Sequence, residues 1–132
     1  MASRKQRRRK GVEIVELAVS MPLLTVLVFG VLETCEALFL NQSASIAAYE
    51  SARVAARPDA TALMAIDRGD ELMTGRRVQG ASVEVSPPDI QNAARGTPIT
   101  ITVRAPFGSN RTTGFVLSNN LVIEQSATMV RE

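Results

Sequence analysis

The chain contains no histidine, no tryptophan and a single cysteine, Cys35. Without histidine it lacks the commonest general base and the commonest zinc ligand. One cysteine excludes an intramolecular disulfide and a cysteine-rich metal cluster. Ser43, Ser45 and Ser51 have no imidazole to activate them. There is no Walker loop, so energy for any assembly step must come from another protein. Asp67, Asp70 and Glu71 gather near the end of one predicted helix, which is an ordinary solvated cluster. No catalytic, cofactor-binding or metal-binding constellation emerges, and an enzyme is not expected.

What is present is charge of one sign at one end. Over 132 residues there are 15 Lys/Arg and 13 Asp/Glu, a net charge of +2. Six of the bases (Arg4, Lys5, Arg7, Arg8, Arg9 and Lys10) stand in the first ten residues, with no acid among them. Residues 11–132 therefore carry nine bases against 13 acids, a net charge of −4. A nucleic-acid-binding protein needs its positive charge on a folded face; here it sits on a tail, and nucleic acid is not expected as a partner. The length allows one domain with an appendage.

Beyond Gly11 comes an apolar stretch over residues 12–32, uncharged from Leu17 to Leu32 and bounded by Glu16 and Glu33. A membrane span needs about 20 mostly apolar residues. The stretch reaches that length with Glu13 and Glu16 near the inner interface, and Pro22 is tolerable within a membrane helix. Glu33 and Glu36 then read as the outer end of the span. Residues 33–57 lack glycine and proline and are rich in good helix formers. The pattern predicts one helix over residues 12–57, stopped by Pro58 and about 69 Å long, of which the bilayer core takes about 30 Å. Ala44, Ala48, Ala52 and Ala55 form a stripe of small side chains. That stripe suits either the protein's own sheet or a neighbouring helix. Cys35 reads as a packing residue.

A second helix is predicted over residues 60–74, capped by Asp59 and ended by Gly75, with Leu63, Ile66 and Met73 on one face. Three alternating runs follow: Ala81, Val83 and Val85; Ile99, Ile101 and Val103; and Leu121, Ile123, Ala127 and Met129, with Gln125 interrupting the last. Period-two alternation predicts a half-buried antiparallel sheet. The expected class is α+β: a long N-terminal helix spanning a membrane in its first half, a short second helix, and a sheet of about three strands. The expected division is a basic leader at 1–11, the helix at 12–57 and a small α+β extracytoplasmic domain at 58–132.

A basic start and an apolar run fit three kinds of targeting segment. A secretory signal peptide would be cut after the apolar run at a small-residue site, and nothing suitable follows Leu32. Leu32-Glu33-Thr34-Cys35 makes a poor lipoprotein box because Glu33 replaces a small residue. A plain signal anchor gives no reason for glutamates inside the run. The third kind is cut before the run. Lys10-Gly11 followed by Val12, Glu13, Ile14, Val15 and Glu16 resembles a type IV prepilin processing site: bases, a glycine, then an apolar segment with glutamate at its fifth position.

The likeness continues. Val15-Glu16-Leu17, Met21-Pro22-Leu23-Leu24, Phe29-Gly30, Glu33 and Glu50-Ser51-Ala52-Arg53-Val54-Ala55-Ala56 are similar to the TadE-like pseudopilins, minor subunits of tight-adherence (Tad/Flp) pilus systems. Ser126 to Glu132 ends in the same manner, and Glu13 departs from the pattern. The resemblance implies a minor pseudopilin, a structural component of a Flp type IV pilus. A prepilin peptidase would cut between Gly11 and Val12, and Glu16 would form a salt bridge to the new N-terminal amine of a neighbouring subunit. It also implies a single-pass protein of the bacterial inner membrane, N-terminus cytoplasmic and C-terminal domain outside. Its partners would be the peptidase, other pilins or pseudopilins, the inner-membrane assembly platform and membrane lipid. The rival readings are a pseudopilin of a type II secretion system and an uncleaved, signal-anchored domain that binds an envelope component.

Overall fold

Helix α1 runs from Ser3 to Ala55 in the computed structural model, about 80 Å at 1.5 Å per residue. The structure describes the backbone of residues 3–132 and the side chains from Gly11 onward; the six leading bases lie outside the described side chains. The helix starts before the expected residue 12 and passes through Gly11 without a break. At its other end it stops two residues short of the expected 57. There the last turn tightens, with Arg57 N–H donating to the Val54 carbonyl at 3.2 Å.

The two halves of α1 live in different surroundings. Apart from Ser20, Phe29 and Gly30, every residue from Gly11 to Leu32 is exposed. From Glu33 onward one stripe is buried: Glu33, Leu40, Ser43, Ala44, Ala47, Ala48, Ser51, Ala52 and Ala55. These positions recur every three or four residues, so they share one helix face. The small stripe is thus covered by the protein's own second helix and sheet. Small side chains there let both elements approach the α1 backbone closely.

Helix α2 spans Ala62–Gly75. Its N-cap is Thr61, whose hydroxyl accepts from Met64 N–H at 3.2 Å, rather than the expected Asp59. An N-cap must be extended, with its oxygen turned back over the first helical N–H groups, and Thr61 meets both conditions (φ −108°, ψ 157°). At the far end Arg77 takes the left-handed conformation (φ 59°). Val78 N–H then reaches the Met73 carbonyl and Arg77 N–H the Thr74 carbonyl, both at 2.9 Å. This is a Schellman closure two residues beyond Gly75. The buried face of α2 is Ala65, Gly69 and Met73; Leu63, expected on it, is exposed.

Gly69 makes the closest approach. A Cβ there would stand 2.7 Å from Val83 Cγ2 and 2.8 Å from Ser51 Oγ. Gly69→Ala therefore overpacks the junction of α1, α2 and β1, at a cost of about 1–3 kcal/mol that outweighs the gain of about 1 kcal/mol in helix propensity. The expected result is a melting temperature lower by roughly 5–10 °C; an unchanged transition would show that the junction relaxes freely.

Strands β1 (Ser82–Ser86), β2 (Pro98–Pro106) and β3 (Val122–Val130) form an antiparallel meander in the order β1-β2-β3. Ile99, Ile101, Val103 and Ala105 of the central strand are fully buried, as period-two alternation requires when one face meets the helices. Arg104 lies on the other face and bridges its neighbours, 2.6 Å from Glu124 and 2.6 Å from Glu84. Hydrogen bonds and charge from Glu124 first, then Glu84, raise its pKa above the ordinary arginine value. In β3 the inward parity comprises Ile123, Gln125, Ala127 and Met129. Gln125, the apparent interruption, is accounted for: its amide donates to Asn41 Oδ1 on α1.

Candidate functional site

The residues singled out for processing and pairing lie on the bare half of α1. Gly11, Val12 and Glu16 are exposed within unbroken helix. A Cβ at Gly11 would meet nothing within 4 Å, so no packing demand explains a glycine there. Glu16 forms no salt bridge among the described residues. Apart from Phe29, the large apolar side chains up to Leu32 stand free: Val19 is 72 % exposed and Leu23 70 %. The hydroxyls along this half fold back on their own helix, Ser20 onto the Glu16 carbonyl and Thr25 onto the Met21 carbonyl, both at 2.8 Å. Helix with its polar groups satisfied internally is what hydrocarbon tolerates. Among the described residues this is the one helix long and apolar enough to cross a membrane, which suggests membrane anchoring.

At the end of the bare half, the sequence reading of Glu33 as a mere boundary is corrected. Its side chain is fully buried beneath the loop joining β2 to β3. Oε1 accepts from Phe115 N–H and from the Thr113 hydroxyl at 3.3 Å. Oε2 accepts from Val116 N–H at 3.0 Å and from Leu117 N–H at 2.6 Å. One helical turn on, Glu36 Oε1 accepts from Thr112 N–H at 3.0 Å. One turn back, Phe29 stacks on Phe115 with ring centroids 4.9 Å apart. Successive backbone N–H groups turned to one side form a nest for an anion, and here the anion is the protein's own carboxylate. Sequence inspection missed this because the partners are 80 or more positions apart and the donors are main-chain groups with no compositional signal.

A second tether joins the two ends of the domain. Arg131 is 6 % exposed. Its guanidinium donates to the carbonyls of Pro58 (2.8 Å), Ala55 (3.3 Å) and Ala60 (3.4 Å). A cation among the last carbonyls of a helix is favourably placed against the helix dipole. A signal did exist: residue 131 continues the inward parity of 123, 125, 127 and 129, and a charge on a core-facing parity demands partners. Cys35, expected to pack, is exposed.

A groove of about 440 Å³ runs between α1 and β3, past Thr34, Leu38, Leu117 and Val122. Glu124 is its sole titratable lining residue and is engaged by Arg104. Among the described residues no group of three or more His, Cys, Asp or Glu is disposed to hold a metal ion.

No curated protein and no solved structure matches the chain. The family model for TadE-like proteins matches residues 11–53, about a third of the chain. The match begins at the glycine before the apolar run and ends at Arg53 in the last turn of α1; the C-terminal strand lies outside it. Across that segment, the long helix from Gly11 to Arg53, the chain is similar to TadE-like proteins.

Proposed function

We propose that the chain is a minor pseudopilin, a structural and assembly component of a tight-adherence (Flp type IV) pilus, made as a precursor and cut by a prepilin peptidase between Gly11 and Val12. The observation that carries the reading is the bare helix within the TadE-like segment, with Gly11 in open space at its head. A glycine inside a helix costs about 1 kcal/mol relative to alanine, and its presence where a Cβ would meet nothing within 4 Å is accounted for by a peptidase that reads it. From Val12 to Leu32 the helix measures about 31 Å, close to the ~30 Å hydrocarbon core. Six leading bases and a body of net −4 orient the chain with its N-terminus in the cytoplasm.

Its mechanism is structural. The cleaved helix rests in the inner membrane until the assembly platform draws it into a bundle with other pilins or pseudopilins. Cleavage creates an amine at Val12, and a carboxylate inside an apolar span then gains a purpose. At about 4 Å and an effective dielectric of about 20, the amine of one subunit and Glu16 of its neighbour attract by about 4 kcal/mol. Desolvation cancels much of this, and what remains is register, because a mis-staggered neighbour leaves two charges unpaired in lipid.

One set of samples tests the reading: wild type, Gly11→Trp and Glu16→Ala, recovered from the native membranes. Wild type should begin at Val12, and Gly11→Trp should remain precursor. Glu16→Ala should be cleaved normally yet crosslink to partner subunits about ten-fold less. An intact leader on wild type would favour the uncleaved anchor, and undiminished crosslinking by Glu16→Ala would remove the intersubunit salt bridge.

A further inference from the structure

The loop clasped by Glu33 carries an exposed apolar tip that the anchoring helix alone does not explain. Phe115 is 68 % exposed and Val116 55 %, although Phe115 already stacks on Phe29. Phe29 belongs to the bare apolar run, one turn before Glu33, or about 6 Å nearer the centre of the span. The tip therefore stands beside the span rather than above it.

Three features suit this tip to lipid. Four of its main-chain N–H groups are paired inside the protein, those of Phe115, Val116 and Leu117 with Glu33 and that of Thr112 with Glu36, and Arg111 folds back over Gly114 to the Leu117 carbonyl at 3.4 Å. Each N–H group paired inside the protein is one that need not be stripped of water at the membrane interface. Arg111 is also the sole charged residue between Arg104 and Glu124, so no acid on the loop opposes an anionic headgroup. Finally, a reach of about 6 Å matches the depth at which interfacial segments bury their apolar side chains, and aromatic rings favour that level.

We propose that the 111–117 loop is a second membrane contact: Phe115 and Val116 enter the outer leaflet next to Phe29, with Arg111 at the headgroups. The loop thereby sets the height and the rotation of the extracytoplasmic domain about α1. This rests on the membrane-spanning reading of residues 12–32.

Because the chain has no tryptophan, single Trp substitutions report on one place each. Phe115→Trp, Leu24→Trp inside the span and Tyr49→Trp, about 24 Å above Glu33, are placed in the full chain. Each is reconstituted, at a low ratio of protein to lipid, in phosphatidylcholine–phosphatidylglycerol vesicles with brominated acyl chains. Phe115→Trp should be quenched by shallow bromines about half as strongly as Leu24→Trp is by deep ones, and Tyr49→Trp should not be quenched. Quenching of Leu24→Trp without Phe115→Trp overturns the loop contact and leaves the span standing. A blue-shifted but unquenched Phe115→Trp means that a second copy covers the tip, which also overturns it. Quenching of Tyr49→Trp as well means that the domain lies flat, against a contact confined to the tip. Failure to quench Leu24→Trp overturns the span and the loop contact together.

Discussion

Glu33→Gln releases the 112–117 loop from helix α1. A carboxylate offers only acceptors, and four donors converge on this one: three main-chain N–H groups and the Thr113 hydroxyl. Glutamine keeps the size but turns one oxygen into an NH2 group, so a donor faces donors and two of the bonds are lost at once. Hydrogen bonds to a charged acceptor are also stronger than those to a neutral one. Amide hydrogen exchange at Phe115, Val116 and Leu117 should accelerate on the order of 10–100-fold, while Ile101 and Val103 in the central strand keep their protection. Glu36→Gln is the control, because Glu36 holds the single amide of Thr112 and its loss should spread no further. Unchanged exchange at the three amides in Glu33→Gln would mean that the Phe29–Phe115 stack alone holds the loop.

Arg131→Met lowers the stability of the folded α+β part more than any surface change. Methionine retains much of the buried hydrocarbon stem but offers no donor. The carbonyls of Ala55, Pro58 and Ala60, which receive the guanidinium, are then left without it at the point where α1 ends and the chain turns. Losing charge-assisted bonds at a helix C-terminus costs about 3 kcal/mol, which lowers the melting temperature by roughly 12–20 °C. Arg131→Lys keeps the charge but not the planar fork that spans three carbonyls, and should fall between wild type and Arg131→Met. Melting of the three proteins in one detergent checks the order. Equal stability of Arg131→Met and wild type would mean that the main-chain bonds of the last strand close the domain by themselves: Arg131 N–H to the Thr97 carbonyl and Glu132 N–H to the Ala56 carbonyl, both at 2.9 Å.

Patterns of short period survived the passage from sequence to structure, because each is decided by neighbours along the chain. Alternation at 99, 101 and 103 is a property of the pleat, and the small stripe at 44, 48, 52 and 55 is a property of helical geometry. Local chemistry failed where two candidates competed. Asp59 and Thr61 are both competent caps, and only the path of the chain after Pro58 selects the extended residue. Leu63 looked like core on hydropathy, yet α2 turns Ala65 and Gly69 inward, because two helices approach most closely where side chains are smallest.

The amino-acid sequence by itself determined the long helix with its bare apolar half, the glycine and glutamate near its start, the charge asymmetry between the first ten residues and the rest, and the three alternating strands. Each of these is set by residues within a few positions of one another. Only the tertiary structure decided that Glu33 anchors a loop some 80 residues away, that Gln125 has a partner in Asn41, that the alanine stripe is covered by the protein's own sheet and second helix, and that Arg131 closes the end of α1. Those contacts join distant parts of the chain, often through main-chain N–H and carbonyl groups. Every residue but proline carries both groups, so composition and spacing hold no mark of which of them will meet.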